Sequence, residues 1–356
     1  MISPEENDVC FRPGNPAARE RAHRVARGDI LLRGLGLGAA LGVGAMLPSL
    51  AEAAVPARRP AAGAQVYVEV SALSSLPYFI AHRQGMTLAG RDLNVTTEYL
   101  GPSTLDLSAM INVIEQQIVR KVAGLLVVGF DASLKPSINK AIAAGIPTVT
   151  LDADVLGSDR YTFLGTGNVN VGVLGAQTLA AAIGGKGQVA IVTKIGQSNL
   201  EDRVAGYKSG LRSYPGIQVV QVVNDNSDSN VAASAVGTIL RRYPNLAGIA
   251  CVEAAGGVGA ATAVKEAGKV GKVTIVSMDR DNSTLDFIRQ GVIHASTAQK
   301  TALMSYLGTL LLYYYHNHPV PIVSNDRAAG IIPLPSAVDT GALVITKPNA
   351  SQFYTK

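Results

Sequence analysis

Four acidic residues stand where an alternating α/β chain would do its chemistry: Asp131, Asp152, Glu253 and Asp279 each follow a short β-branched run. Ligands of open α/β sheets bind beyond the carboxyl ends of the strands, so these side chains are the first candidates for contact with one. An acid at such a place also caps the following helix, and Asp131 or Asp279 could do only that. Other chemistries find less support. Gly257-Val258-Gly259 follows a strand with Asp279 about one βα unit later, which is the spacing of a dinucleotide fingerprint. Its third glycine position holds Ala261 or Thr262, however, and the motif lies in the middle of the second half of the chain. His82, His294, His316 and His318 are scattered, without the spacing of metal ligands, and no Gly-x-Ser-x-Gly elbow occurs. No catalytic residue, metal or cofactor is therefore expected.

The elements that must hold these residues repeat with a regular rhythm. Val66 to Val70, Val95 to Tyr99, Gly124 to Val128 and Thr148 to Leu151 read as strands, with helical stretches near Tyr78 to Leu88, Leu107 to Val122 and Leu134 to Ala144 between them. Gly145-Ile146-Pro147 ends the last of these helices and opens the fourth strand. The rhythm returns with strands at Gln188 to Thr193, Ile217 to Val223, Gly248 to Val252 and Val273 to Met278. Two consecutive βαβα blocks predict two parallel sheets, each covered by helices. A long helix over 298–317 and extended crossover structure over 331–345 complete the chain. Two sheets facing each other across a cleft would bring both sets of strand-end acids together.

Bulk properties set the frame. A chain of 356 residues with 47% hydrophobic and 16% charged residues can bury a substantial core. The net charge of +5 is spread along the sequence, with no basic run of the kind that tracks nucleic acid. Arg12, Arg19, Arg21, Arg24, Arg27 and Arg33 precede the apolar stretch Gly34 to Leu47, which leads to Ala51-Glu52-Ala53. A basic leader, a short apolar core and a small-x-small site predict an export signal over 1–53, with 54–64 as a flexible lead-in. Arg27-Gly28-Asp29-Ile30-Leu31-Leu32 resembles a twin-arginine motif whose second Arg is Gly, which leaves Sec and Tat export both open. Cys10 falls in that leader, so Cys251 would be alone in the exported chain, with no disulfide and no thiolate metal site.

Several motifs in register carry a resemblance. They are Leu76-Pro77-Tyr78-Phe79, Ala144-Gly145-Ile146-Pro147 through Asp152, Gly165-Thr166-Gly167-Asn168, the segment Gln197 to Tyr207 with Arg203-Val204-Ala205-Gly206-Tyr207, Val276-Ser277-Met278-Asp279, and Thr297-Ala298-Gln299. With these the chain resembles the type I periplasmic sugar-binding proteins, the ribose-binding family in particular, over about the whole exported portion. The resemblance implies two doubly wound parallel-sheet lobes of the Rossmann-like kind, joined by a three-crossover hinge with a ligand cleft between them. The N-terminal lobe would hold 65–166 plus 300–324, and the C-terminal lobe 167–299 plus 325–356. It implies an exported, periplasmic and monomeric binding subunit of an ABC importer, not an enzyme. The subunit would capture a monosaccharide or related polyol and deliver it to permease membrane subunits, with no nucleic acid partner. A ligand-presenting sensor, or a binder of an autoinducer-type signal, is the alternative reading, and an exported dinucleotide enzyme a remote one.

The ligand-binding residues implied are Tyr78, Phe79, Asp131, Asp152, Thr166, Asn199, Arg203, Glu253, Asp279 and Gln299. Sugar hydroxyls both donate and accept, so a site needs carboxylates to accept and Arg or Gln to donate. Arg203 offers a planar fork to two adjacent hydroxyls, and Asp152 and Asp279 would accept from opposite lobes. Tyr78 or Phe79 would offer a flat face to the ring's C–H side. The chain departs from the family pattern at Leu76, Ala153 and Gly167, and at Glu253-Ala254, where Asn-Asp is usual. Ribose itself is therefore not assumed.

Overall fold

A computed structural model describes residues 65–75, 77–326 and 328–354. The expected leader over 1–53, the lead-in and Leu76 lie outside the described residues.

The first six-stranded sheet is assembled from β1 (Val66–Val70), β2 (Thr96–Leu100), β3 (Gly124–Val128), β4 (Thr148–Leu151), β5 (Phe163–Gly165) and β11 (Ala337–Asp339). Its order is β11-β5-β4-β3-β1-β2, with every neighbouring pair parallel. The second sheet is built from β6 (Lys186–Thr193), β7 (Gly216–Asn224), β8 (Leu246–Cys251), β9 (Thr274–Met278), β10 (Ala295–Gln299) and β12 (Ala342–Thr346). It runs β12-β10-β9-β8-β6-β7, parallel except where β12 lies antiparallel on β10. The central strands are buried on both faces, as β3 and β4 are throughout, which is what a helix-covered parallel sheet requires of its sequence.

In each sheet the strand order reverses once, between β1 and β3 in the first and between β6 and β8 in the second. The carboxyl ends of the strands beside such a reversal form a crevice. Helices α1 (Ile80–Leu93), α2 (Leu107–Arg120) and α3 (Lys135–Ala143) belong to the first sheet by sequence. Helix α9 (Thr301–Asn317) also packs there: its Met304 and Leu312 share a core with Tyr67, Met86, Leu126 and Leu151. Helices α4 (Asn168–Ala182), α5 (Ser198–Leu211), α6 (Ser229–Arg242), α7 (Ala254–Glu266) and α8 (Asn282–Gln290) clothe the second sheet.

The chain passes between the sheets three times, from β5 into α4, from β10 into α9 and from β11 into β12. The third passage corrects one expected boundary. Residues 337–339 join the edge of the first sheet, pairing with 163–165, whereas the sequence reading gave all of 325–356 to the second lobe. Thr340 N and Oγ1 both donate to Gly165 O, so the switch between sheets falls just after β11. Asp339 ties the first and third passages together. Its carboxylate accepts from Gly167 N at 2.8 Å, Gly341 N at 2.7 Å and Asn170 Nδ2 at 3.1 Å. A Cβ at Gly167 would strike that carboxylate, which gives the departure at Gly167 a physical reason in this chain.

Candidate functional site

Four of the implied residues reach their places from the carboxyl ends of strands or the turns that follow. Tyr78 lies on a single 3-10 turn, Pro77–Phe79, between β1 and α1. Asp152 directly follows β4, Asp279 directly follows β9, and Gln299 is the last residue of β10, at the second passage between the sheets. Both aspartates adopt the same left-handed backbone, with φ of 63° and 67°. Aspartate tolerates this region better than most residues, and two such turns at matching strand ends are the kind of outlier that marks a functional site. Each turn is held by its own N–H: Asp152 N donates to Leu164 O at 2.9 Å, and Asp279 N to Thr297 O at 2.7 Å.

Arg203 arrives from α5. Helices α4 and α5 cross through Gly172 and Gly206, where a Cβ on either would run into the other helix's backbone. This approach sets Arg203, 5% exposed, beside the first residue of α4. Its Nε donates to Asn168 Oδ1 at 2.9 Å and its Nη1 to Val252 O at 3.0 Å. Nη2 is the guanidinium nitrogen without such a bond among the described residues. A side chain held by two of its nitrogens presents the third with little loss of freedom.

These groups meet. Tyr78 Oη donates to Asp152 Oδ1 at 2.7 Å and accepts from Gln299 Nε2 at 2.9 Å. Burial pushes the Tyr78 phenol well above its ordinary value, Asp152 and Asp279 push it further, and Arg203 pulls the other way. Burial raises Asp279 to about 6; Arg203 opposes the rise, Asp152 and Asp281 add to it, and a hydrogen bond from Gln299 opposes it. Tyr78, Asp152, Arg203, Asp279 and Gln299 therefore form one constellation, with Asp152 and Tyr78 on the first sheet's side and Arg203 and Asp279 on the second's. It can accept hydrogen bonds at two carboxylates and donate from a guanidinium and an amide.

The other implied residues do different things. Phe79 is 4% exposed and packs in the first sheet's core, with its ring edge-on to Tyr78 at 5.0 Å. Of the two aromatics, the second is thus a core residue and the first faces the acids. Asp131 is exposed and caps a turn, accepting from Ser133 N at 2.8 Å, and this bond lowers its carboxyl below the usual range. Asn199 accepts from Gln197 Nε2 at 2.9 Å. Thr166 is buried at the first passage, its hydroxyl without a hydrogen-bond partner among the described residues. Glu253 caps α7 through Gly256 N at 3.0 Å, and burial together with the carboxyl of Asp225 raises it to about 8. It directly follows the carbonyl that Arg203 holds.

Sequence reasoning missed Asn168 and Asp225. Asp225, fully buried, follows β7 as the four chosen acids follow their strands, and the same rule extended to the edge strand would have found it. Asn168 sits in the quoted crossover motif, but its role shows only once α5 brings Arg203 against it. Among the described residues no cluster of His, Cys, Asp and Glu could hold a metal, and no helix is long and apolar enough to cross a membrane.

Residues 68–318 match the family model described as a periplasmic binding protein domain. The D-allose-binding periplasmic protein of Escherichia coli K12 is 26% identical over 287 residues, which is 78% of this chain and 89% of that protein. The crystal structure of a sugar-binding protein of a sugar ABC transporter from Bacillus halodurans superposes with a TM-score of 0.77 at 36% identity, covering 82% of this chain and 100% of that one. AraP, an arabinose-binding protein from Geobacillus stearothermophilus, gives a TM-score of 0.77 at 36% identity, with 82% and 99% covered.

Proposed function

The chain belongs to the periplasmic binding protein family, and from that premise we propose that it is the exported solute-binding subunit of an ABC importer, capturing a monosaccharide or related polyol. One observation carries the reading: two carboxylates, a guanidinium held by two of its nitrogens and a hinge glutamine converge between two strand-end crevices. Such a set matches hydroxyls, which donate to the carboxylates and accept from the arginine and the amide. The residues proposed to bind are Asp152, Arg203, Asp279 and Gln299 with Tyr78, and Thr166, Asn199 and Glu253 would line the margins. No bond is made or broken. Ligand contacts on both sheets favour the closed arrangement, and the three passages act as the hinge. Permease subunits would receive the loaded protein, as the names of its relatives suggest for theirs.

The test is calorimetric titration with a panel of pentoses, hexoses and polyols against the wild type and Arg203→Ala. The wild type should bind at least one member tightly. Losing the guanidinium should cost about 2–4 kcal/mol of binding, as expected for a buried charge-assisted partner. A panel without a binder, or an R203A protein that binds as tightly as the wild type, refutes the reading.

A further inference from the structure

Tyr78 does at one corner of the site what a ligand hydroxyl would do. Its oxygen donates to a carboxylate, Asp152 Oδ1 at 2.7 Å, and accepts from an amide, Gln299 Nε2 at 2.9 Å. Those partners come from the first sheet and from the hinge, and they are two of the groups proposed above to hold a sugar. We propose that the Tyr78 phenol is a built-in substitute for one sugar hydroxyl and that it restricts the site to a monosaccharide one substituent smaller than a hexose, a pentose or its polyol. The inference rests on the monosaccharide reading above and sharpens it.

The phenol is held in place, which a mobile side chain could not be said to be. The Tyr78 ring stands edge-on to Phe79 at 5.0 Å and near His82 at 6.1 Å. Phe79 is packed in the core, and His82 is anchored behind them by Glu69 Oε1 at 2.8 Å and Ser305 Oγ at 3.0 Å, all three fully buried. Burial and the two aspartates keep the phenol protonated, so it stays a donor to Asp152 at any ordinary pH. A ligand hydroxyl brought to this corner would meet an oxygen already there. To displace the phenol it would have to leave a buried hydroxyl unpaired, which costs more than the exchanged bond returns.

What remains free also defines the ligand. Among the described residues Asp152 keeps Oδ2 and Arg203 keeps Nη2, and Asp279 has acceptor capacity beyond its hydrogen bond from Gln299. That set serves the ring hydroxyls of a pentose. Loss of the hydroxymethyl at C5 removes a hydroxyl together with its carbon from a hexose ring and leaves the ring hydroxyls in place. L-arabinose and D-galactose, D-xylose and D-glucose, and D-ribose and D-allose are such pairs.

The experiment measures, by calorimetry, the hexose-to-pentose ratio of affinities within each pair, for the wild type, Tyr78→Phe and Tyr78→Ala. In the pair that the wild type binds, the pentose should be favoured by about tenfold or more, the scale on which one substituent is discriminated. Y78F frees Asp152 and Gln299 and should move the ratio severalfold toward the hexose, and Y78A, which also opens the space, should move it by tenfold or more. A wild type that binds the hexose more tightly, or ratios unchanged within twofold in the variants, overturns the proposal while leaving the monosaccharide reading intact. A wild type that binds no sugar of any pair overturns both. The wild-type ratio alone decides if a variant does not fold.

Discussion

Asp279 is where the site should answer to pH. Burial raises its carboxyl from 3.8 to about 6, against the pull of Arg203 and a hydrogen bond from Gln299, and with a push from Asp152 and Asp281. The sign follows from linkage. A carboxyl raised on folding favours the folded state most below its unfolded value, and that advantage is lost as pH rises from about 4 through about 6. Sugar hydroxyls donate to the ionised form, so binding should pull Asp279 down again and release a proton near pH 6. Affinity should therefore weaken by up to about tenfold per unit as pH falls below 6. Titration between pH 5 and 7.5 in buffers of different ionisation heat checks both the slope and the proton count. Asp279→Asn should flatten the profile, and an affinity that rises on acidification contradicts the assignment. Strand-end position alone made Asp152 and Asp279 legible in the sequence. It could not separate them from Asp131, which spends its carboxylate on a turn, because both uses need the same residue at the same place. Nor could it tell Tyr78 from Phe79: the two rings touch edge-on, and only the packing shows that Phe79 is enclosed in the core while the Tyr78 hydroxyl reaches Asp152.

Elements are joined by a buried polar cluster behind the site. Glu69 lies inside β1, His82 on α1 and Ser305 on α9, and none of the three is exposed. Burial lowers the His82 pKa, but Glu69 and, more weakly, Asp152 outweigh it, so the imidazole is held above its ordinary value beside Glu69. This pair pins the first helix and the post-hinge helix to the same strand, behind Tyr78. Removing one partner leaves the other buried and unpaired, so His82→Leu should cost about 3–5 kcal/mol of stability, whereas Glu69→Leu combined with His82→Leu should recover most of it. Urea melts of the single and double variants measure the coupling; a double variant as unstable as the single would show that the pair is not the source of the loss. The alternation of strands and helices was readable because period and punctuation repeat along the chain. Strand β11 was not. It has three residues at a sheet edge, none fully buried, and its partner is more than 170 positions away, so no local pattern announces which sheet it joins.

At the scale of the whole molecule, the passages between the sheets link the candidate site to the arrangement of the two sheets. Gln299 opens one passage and touches Tyr78, and Asp339 laces the other two together, so the hinge and the candidate site share residues and are not merely neighbours. A ligand that touched the first sheet alone would gain nothing from closure, since it would have equal affinity for the open and closed arrangements. The proposed contacts come from both sheets, and Arg203 and Asp279 supply the second sheet's share. Small-angle scattering with and without saturating sugar should therefore show compaction in the wild type. The variant Arg203→Ala with Asp279→Ala should keep the ligand-free radius of gyration at the same sugar concentration. Its unligated stability should fall by about 1–3 kcal/mol because Asn168 and the Val252 carbonyl lose the buried guanidinium, so melting is measured first to show that the variant is folded. Compaction of that variant equal to the wild type's would mean that closure is driven from somewhere other than the second sheet. An unchanged radius in the wild type at saturation would count against hinge closure itself.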